Sequence, residues 1–251
     1  MSASNIQSPN SPESRKAGDP LELTLYGVKA IFRYCPPGTF LMGSPEDEKD
    51  RQDDEFQHEV TLTRGFWLLE TPVTQALWTA VMGTNPSVFR GSRARPIENV
   101  SWKECNDFIR KLNNVEVVPD VLFDFPTEAE WEYACRAGTT TRFNCGDEIT
   151  ENDANFGRVI DTTTPVKSFA PNAWGFYDMH GNVWEWCSDW YGVYPKISTR
   201  DPQGPKYGSN RVVRGGAWHY LVWFCRSDAR DHFFAFNRFG CGFRLALRSL
   251  N

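Results

Sequence analysis

Alternating hydrophobic and polar positions in the first third of the chain predict short β-strands. The run from Leu21 to Arg33 alternates around Tyr26-Gly27, which predicts two strands joined by a tight turn. Two further alternating runs cover His58 to Leu62 and Phe66 to Leu69, after an acidic loop at residues 45–55. This part of the chain is therefore predicted to consist mostly of short β-strands.

Helical signals follow in the middle of the chain. Three helices are predicted: Thr74 to Met82 ended by Gly83, Ser101 to about Asn113, and Thr127 to about Ala137 ended by Gly138. The last two begin with a capping box, in which a hydroxyl and a glutamate three residues later satisfy free backbone N–H groups. The aromatic residues of these helices are expected to be core contacts: Trp78, Trp102, Phe108, Trp131 and Tyr133. Almost no helix is predicted after Thr139.

The C-terminal segment from Arg214 to Leu247 follows neither the alternating spacing of a strand nor the spacing of a helix. A regular frame is formed by Arg214-Gly215-Gly216, Trp218, Cys225-Arg226-Ser227 and residues 242–247. Between these pieces stand aromatic residues without helical or strand spacing: Tyr220, Trp223, Phe224, Phe233, Phe234, Phe236 and Phe239. Aromatic rings mixed with charged and polar residues are typical of recognition surfaces. The alternative interpretation is an irregular core segment of a loop-rich fold.

Composition narrows the possible classes of protein. The chain has 251 residues, a formal net charge of -5 and a pI near 5.5, which argues against a nucleic-acid-binding surface. No stretch reaches the roughly 18 apolar residues that span a bilayer. Residues 1–20 are rich in Ser, Asn and Pro without an apolar signal region, so they are expected to be a flexible segment before one domain at residues 21–251.

Cysteine and histidine show no metal-site pattern. The seven cysteines are odd in number and contain no CxxC pair, which favours isolated buried thiols over disulfides or zinc. The four histidines, His58, His180, His219 and His232, also lack metal-ligand spacing. Ordinary structural roles are therefore expected for both residue types.

Several motifs in order resemble the formylglycine-generating-enzyme (sulfatase-modifying factor) family. They are Pro126 to Ala134, Gly181 to Trp186, Arg214 to Trp218, and Gly242-Phe243-Arg244. The resemblance runs from about Leu21 to Leu247. It implies an α+β, C-type-lectin-like fold: a small twisted antiparallel sheet with flanking helices and much irregular structure. Activity has to be argued from the site, because one fold hosts many functions.

The enzymes of this family oxidise a substrate cysteine with copper held by two cysteines. Soft thiolates select Cu(I), so a single sulfur would make a poor site. In this chain the corresponding stretch, residues 219–225, contains only Cys225, and Val222 stands at one of the two ligand positions. The oxidase site is therefore expected to be absent, and no catalytic cofactor is expected. The related iron-dependent sulfoxide synthases need a histidine triad that this chain does not supply.

The C-terminal segment is more similar to the variable proteins of diversity-generating retroelements. Those proteins carry mutagenised adenine codons within a Trp, Cys-Arg-Ser and Gly-Phe-Arg frame, which places the variable region here at about residues 218–241. The residues expected to contact a ligand are His219, Tyr220, Leu221, Val222, Trp223, Phe224, Asp228, Asp231, His232, Phe233, Phe234, Phe236, Asn237 and Phe239. All of these residues except Trp223 are amino acids that NNC codons encode, as expected if only the adenines of AAC codons are changed. That set of amino acids is broad, so the agreement supports the resemblance without deciding it.

The resemblance also implies structural calcium sites. Asp178, Gly181, Val183 and Glu185 fall on the family's second site, and Asn155 and Phe156 match the start of the other, with Asp161 as a candidate acidic partner. Carboxylate and carbonyl oxygens are the ligands that Ca²⁺ prefers. The alternative interpretation is that these polar groups only cap turns.

The sequence thus predicts a non-enzymatic protein whose diversified surface binds a macromolecule, expected to be a protein. The alternatives are a copper-dependent oxidase with a rearranged site and a structural paralogue without diversification. A monomer is favoured. The unpaired cysteines suit a reducing cytoplasm. The Ser/Asn/Pro-rich start resembles a lipoprotein tether, so display on the cell surface stays a hypothesis.

Overall fold

The computed structural model describes residues 15–115 and 121–249, which form three α-helices, one 3-10 helix and twelve strands. The helices are α1 (Gln75–Met82), α2 (Trp102–Asn114) and α3 (Glu128–Arg136), and the 3-10 helix is Val222–Cys225. The strands are β1 (Pro20–Leu25), β2 (Val28–Cys35), β3 (Gly38–Met42), β4 (His58–Leu62), β5 (Phe66–Leu69), β6 (Val121–Asp124), β7 (Trp184–Trp190), β8 (Thr199–Arg200), β9 (Asn210–Arg214), β10 (Arg230–Phe234), β11 (Cys241–Gly242) and β12 (Ala246–Ser249). The predicted α+β fold is confirmed.

The strands form three sheets rather than one. A five-stranded sheet has the order β1-β2-β5-β12-β6, a four-stranded sheet β10-β9-β7-β11, and a three-stranded sheet β3-β4-β8. Pairing is antiparallel except between β7 and β11 and between β4 and β8. The four-stranded sheet carries the C-terminal segment, and β10 is its edge strand.

The predicted hairpin at the start of the domain is confirmed. Strands β1 and β2 pair antiparallel from Pro20 opposite Arg33 to Leu25 opposite Val28. The two turn residues, Tyr26 and Gly27, have φ angles of 50° and 78°. Positive φ at both central residues is the requirement of a type I′ turn, whose twist matches that of the flanking strands.

The three predicted helices are also confirmed, with both capping boxes formed. The Ser101 hydroxyl accepts a hydrogen bond from Glu104 N, while the Glu104 carboxylate accepts one from Ser101 N. One boundary differs from the prediction. Helix α3 ends at Arg136 and is capped by Ala137, which takes the left-handed conformation with φ 47°, rather than by Gly138. The Ala137 N–H bonds Tyr133 O there, so the chain turns one residue early.

Large aromatic side chains fill the core between the sheets and helices. Trp78 of α1 stacks on Phe108 of α2 at 5.3 Å, and Phe243 contacts both rings edge-on. All five helical aromatics pack as predicted, since Trp78, Phe108, Trp131 and Tyr133 are buried and Trp102 is partly buried against the core.

The segment predicted to be a flexible lead-in lies mostly outside the described residues. From residue 15 onwards the chain packs on the domain, because Gly18 N donates to Tyr34 O at 2.9 Å and Arg15 lies over the Trp67 ring. No helix in residues 15–115 and 121–249 has the length and apolarity needed to cross a membrane.

Candidate binding face

Arg214 and the two glycines after it set the path of the C-terminal segment. The buried Arg214 guanidinium donates to Glu132 and to the backbone oxygens of Ser227 and Asp228, so it ties the segment to α3 and to itself. Gly216 has φ +73°, and a Cβ placed there would lie 2.5 Å from Cys225 Sγ. Only glycine fits a position that combines left-handed backbone with this close approach.

Arg226 anchors the segment to the acidic loop at residues 45–55. Its buried guanidinium pairs with Glu48 at 2.7 Å, with Glu55 at 2.7 Å and with Asp228 at 2.6 Å. The acidic loop was predicted from the sequence, but its role as the partner of the Cys-Arg-Ser motif was not. Removing one partner from such a buried pair leaves an uncompensated charge, which typically costs about 3–5 kcal/mol.

Two more buried arginine pairs hold the segment further along the chain. Arg230 binds both carboxylate oxygens of Glu128 at 2.8 Å. Arg244 binds both oxygens of Glu185 at 2.6 Å. Forked, bidentate pairs fix orientation as well as distance. The frame is therefore held in place by buried ion pairs.

Four side chains project from this frame into solvent. Leu221 is 50% exposed, Phe234 54%, Phe236 75% and Phe239 58%. The rings of Phe234 and Phe236 stack with centroids 5.3 Å apart and an angle of 3° between their planes. We call these four residues, three of which are aromatic, the aromatic face. Exposed large apolar side chains often mark interaction sites.

The other predicted aromatic contacts lie deeper than expected. Tyr220, Phe224 and Phe233 are half-buried, and all three rings meet Trp184 edge-on at 5.1–6.2 Å. They form a half-buried layer on the core. All three were expected to contact a ligand, but the buried Trp184 gives each ring a partner inside the protein.

Asp228 does not belong to a binding surface. Its carboxylate is fully buried and accepts hydrogen bonds from Arg136 at 3.0 Å and from Arg226 at 2.6 Å. The prediction that it contacts a ligand was wrong, because charges fix it in the interior.

The remaining predicted contacts are half-buried: His219, Val222, Trp223, Asp231, His232 and Asn237. His219 packs on Phe239 with ring centroids 4.8 Å apart. His232 packs on Tyr191 at 3.9 Å. Val222 instead packs inward, against a small apolar cluster that includes Cys225.

Neighbouring loops extend this surface with residues that sequence reasoning missed. Gly157 N donates to Tyr220 O, and Arg158 N donates to Trp218 O, both at 2.8 Å. The exposed Val159 and Ile160 follow directly in the same loop. No sequence signal linked this loop to the C-terminal segment, because the two are far apart along the chain.

Cys225 is the one cysteine in the stretch, residues 219–225, where the resemblance implies a pair of copper ligands. Cys225 is buried, and burial raises the pKa of its thiol. In residues 15–115 and 121–249, no group of three or more His, Cys, Asp or Glu residues is arranged to hold a metal ion. Six cysteines are buried as predicted, whereas Cys145 is exposed because it lies in a surface turn.

The second calcium site implied by the resemblance does not fit this arrangement. Both oxygens of Glu185 already accept hydrogen bonds from Arg244, and Trp131 Nε1 donates to one of them at 2.7 Å. Asp178 accepts from Lys167 N and from Asn182. A calcium ion at Glu185 would face the positive guanidinium directly, which is electrostatically unfavourable. The nearby Gly181 and Val183 share a backbone hydrogen bond of 2.9 Å.

The first calcium site lacks a carboxylate. The amide oxygen of Asn155 is buried and has no hydrogen-bond partner in the described part of the chain. Its backbone oxygen accepts from Asn182 N, and Phe156 packs against the Phe143 cluster. Asp161 is exposed, with φ 56°. One free amide oxygen is too small a donor set for Ca²⁺, which takes 6–8 oxygen ligands.

Comparison with known proteins agrees with the motifs. A family model described as "Sulfatase-modifying factor enzyme 1-like domain" matches residues 32–249. The formylglycine-generating enzyme of Streptomyces coelicolor is 36% identical over 165 residues, which is 58% of this chain and 49% of that protein. Serine/threonine-protein kinase pkn1 of Chlamydia caviae is 34% identical over 214 residues, 73% of this chain and 32% of the relative. The chain thus spans half or less of the length of these two relatives.

Two solved structures align along nearly the whole chain. Treponema denticola variable protein 1 has a TM-score of 0.81 and 30% identity, covering 91% of this chain and 99% of its own. PvdO from Pseudomonas aeruginosa has a TM-score of 0.82 and 27% identity, covering 94% and 100%. The predicted resemblance is confirmed, and the chain belongs to the sulfatase-modifying factor enzyme 1-like family.

Proposed function

We propose that this protein is a non-enzymatic binding protein that presents a diversified C-terminal surface to a macromolecular ligand, which we expect to be a protein. The observation that carries the proposal is the separation of frame and face. The frame residues Arg226, Phe243 and Arg244 are fully buried. The aromatic face projects outward from the same segment. Substitutions on that face can therefore change binding while the fold stays intact.

The chemistry of the face suits a protein partner. Exposed phenylalanine rings supply large contact areas with few rotatable bonds, so ordering them costs little entropy. Arg238 lies at the border of the face, half exposed, and pairs with Glu104. Aromatic anchors surrounded by charged residues are the usual composition of protein interfaces.

The similarity to Treponema denticola variable protein 1 supports the proposal, because the name of that protein refers to variation and the two chains align over 91% of this one. The names of other relatives support a second candidate, an oxidase of the formylglycine-generating type. We place that candidate second, since residues 219–225 contain a single cysteine and burial raises the pKa of its thiol.

The proposal is tested by sequencing this gene from many cells of one culture. We expect substitutions to cluster in the codons of Leu221, Phe234, Phe236 and Phe239 and of their half-buried neighbours. The codons of α2 provide a matched control stretch and should stay constant. Neighbouring DNA should encode a reverse transcriptase and a template repeat that differs at adenines. Constant C-terminal codons together with the absence of such a repeat would contradict the diversified surface.

A further inference from the structure

A cavity of about 480 Å³ lies beneath the loop that follows β7, and the residues of the aromatic face do not line it. This volume is within the range of small-molecule sites. Its apolar walls are formed by Met42, Ala129, Val193, Tyr194, Pro202 and Pro205. A few polar groups also line the cavity, and they determine which ligands it can bind.

Asp189 offers a free carboxylate oxygen in this cavity. The residue is only 3% exposed. Its Oδ2 accepts hydrogen bonds from Glu128 N at 3.0 Å and from the Ser188 hydroxyl at 2.9 Å. Its Oδ1 has no hydrogen-bond partner in the described part of the chain. A Cβ on Gly204, another lining residue, would lie 3.2 Å from Oδ1, so this oxygen lies beside the lining of the cavity.

His58 supplies a second acceptor. Its Nδ1 lies 3.0 Å from Phe56 O, and a carbonyl can only accept, so Nδ1 carries the proton. In this tautomer Nε2 is an acceptor, and no described residue donates to it. The ring is buried against Tyr194, with centroids 4.9 Å apart.

The positive groups of the cavity do not offer a site for an anion. The Arg230 guanidinium is bound to both oxygens of Glu128 and to Gly192 O. Arg200 is exposed to solvent. Asp189 has no salt-bridge partner in residues 15–115 and 121–249, so the charge left uncompensated inside is negative. An anionic ligand would add a second buried negative charge, which is costly.

We propose that this cavity binds a small primary amine. Asp189 Oδ1 accepts from the ammonium group, His58 Nε2 is a further acceptor in the same cavity lining, and an apolar body packs against Tyr194 and the prolines. Two acceptors with an unpaired carboxylate match an ammonium group, which has three donors and no acceptor. This site is independent of the aromatic face, and its loss would leave the proposed binding function untouched.

Benzylamine is a suitable probe, and benzyl alcohol is its neutral counterpart of similar shape. Binding is followed at about pH 8 by the Nε2 resonance of His58 in ¹⁵N-histidine-labelled protein. We expect saturable shifts with benzylamine and affinity at least about tenfold weaker for benzyl alcohol. Asp189→Asn should weaken benzylamine binding by about tenfold or more, whereas Asp53→Asn, at an exposed carboxylate, should not.

Three results would overturn the proposal: no saturable shift with benzylamine, equal affinity for benzyl alcohol, or unchanged binding in Asp189→Asn. The thermal unfolding curve of Asp189→Asn shows whether this variant is folded. If it is not, the comparison of benzylamine with benzyl alcohol on the unmodified protein decides the question.

Discussion

Alanine substitutions along the C-terminal segment should divide into three classes of stability loss. Phe236 is 75% exposed, so only about a quarter of its surface contacts the protein, and truncation to alanine removes only those contacts. Complete truncation of a buried Phe or Trp costs about 3–5 kcal/mol, and a quarter of that is about 1 kcal/mol. Trp218 is 6% exposed and packs edge-on against Phe89, so Trp218→Ala should cost the full amount.

The half-buried layer should give intermediate losses. Phe233 contacts Trp184 and Trp186 at 6.2 Å, and Phe233→Ala should cost about 2 kcal/mol. Arg226→Met should be as destabilising as Trp218→Ala, about 3–5 kcal/mol, because Glu55 would lose its buried arginine and Asp228 one of its two.

The assay is urea unfolding of each purified single variant, followed by tryptophan fluorescence. The denaturation midpoint at constant slope gives the change in the free energy of unfolding. Phe239→Ala is the matched control for Phe236→Ala, since it removes the same side chain at 58% exposure. If Phe236→Ala and Phe239→Ala destabilise the protein as much as Trp218→Ala, these rings are core and the proposed face does not exist.

Local signals predicted the scaffold well because they act over a few residues. The Ser101 and Thr127 capping boxes and the turn at Tyr26-Gly27 depend on neighbours within four positions, so the sequence reveals them directly. The end of α3 was missed by one residue, because Ala137 adopts a left-handed conformation that alanine normally avoids.

Long-range partners explain what the sequence could not supply. The frame was recognisable as a motif, but Arg226 meets Glu55 across a separation of 171 residues, and no local pattern encodes that pair. Asp228 was grouped with its variable neighbours because the sequence alone does not show how deeply a side chain is buried. The same holds for Phe233, whose burial depends on Trp184 of a different strand.

Three further predictions concern chemistry. A peptide substrate with a cysteine should gain no aldehyde by mass spectrometry in the presence of copper, because Cys225 lacks a second thiolate; formation that is lost in Cys225→Ser would contradict this. Calcium or EDTA should leave the thermal midpoint unchanged, since Arg244 occupies the Glu185 carboxylate, and a rise with calcium would show a site. Burial, and secondarily the charge of Glu128, raises the pKa of Asp189 to about 7 from 3.8. A raised folded-state pKa means that this stabilising contribution is complete below about pH 4 and is lost as the pH rises through 7, up to about 4 kcal/mol. The asparagine side chain does not titrate, so Asp189→Asn does not undergo this loss. Relative to the unmodified protein, the free energy of unfolding of the variant should therefore increase between pH 4 and pH 8. A difference that stays constant over this range would mean that the carboxyl titrates normally in the folded protein.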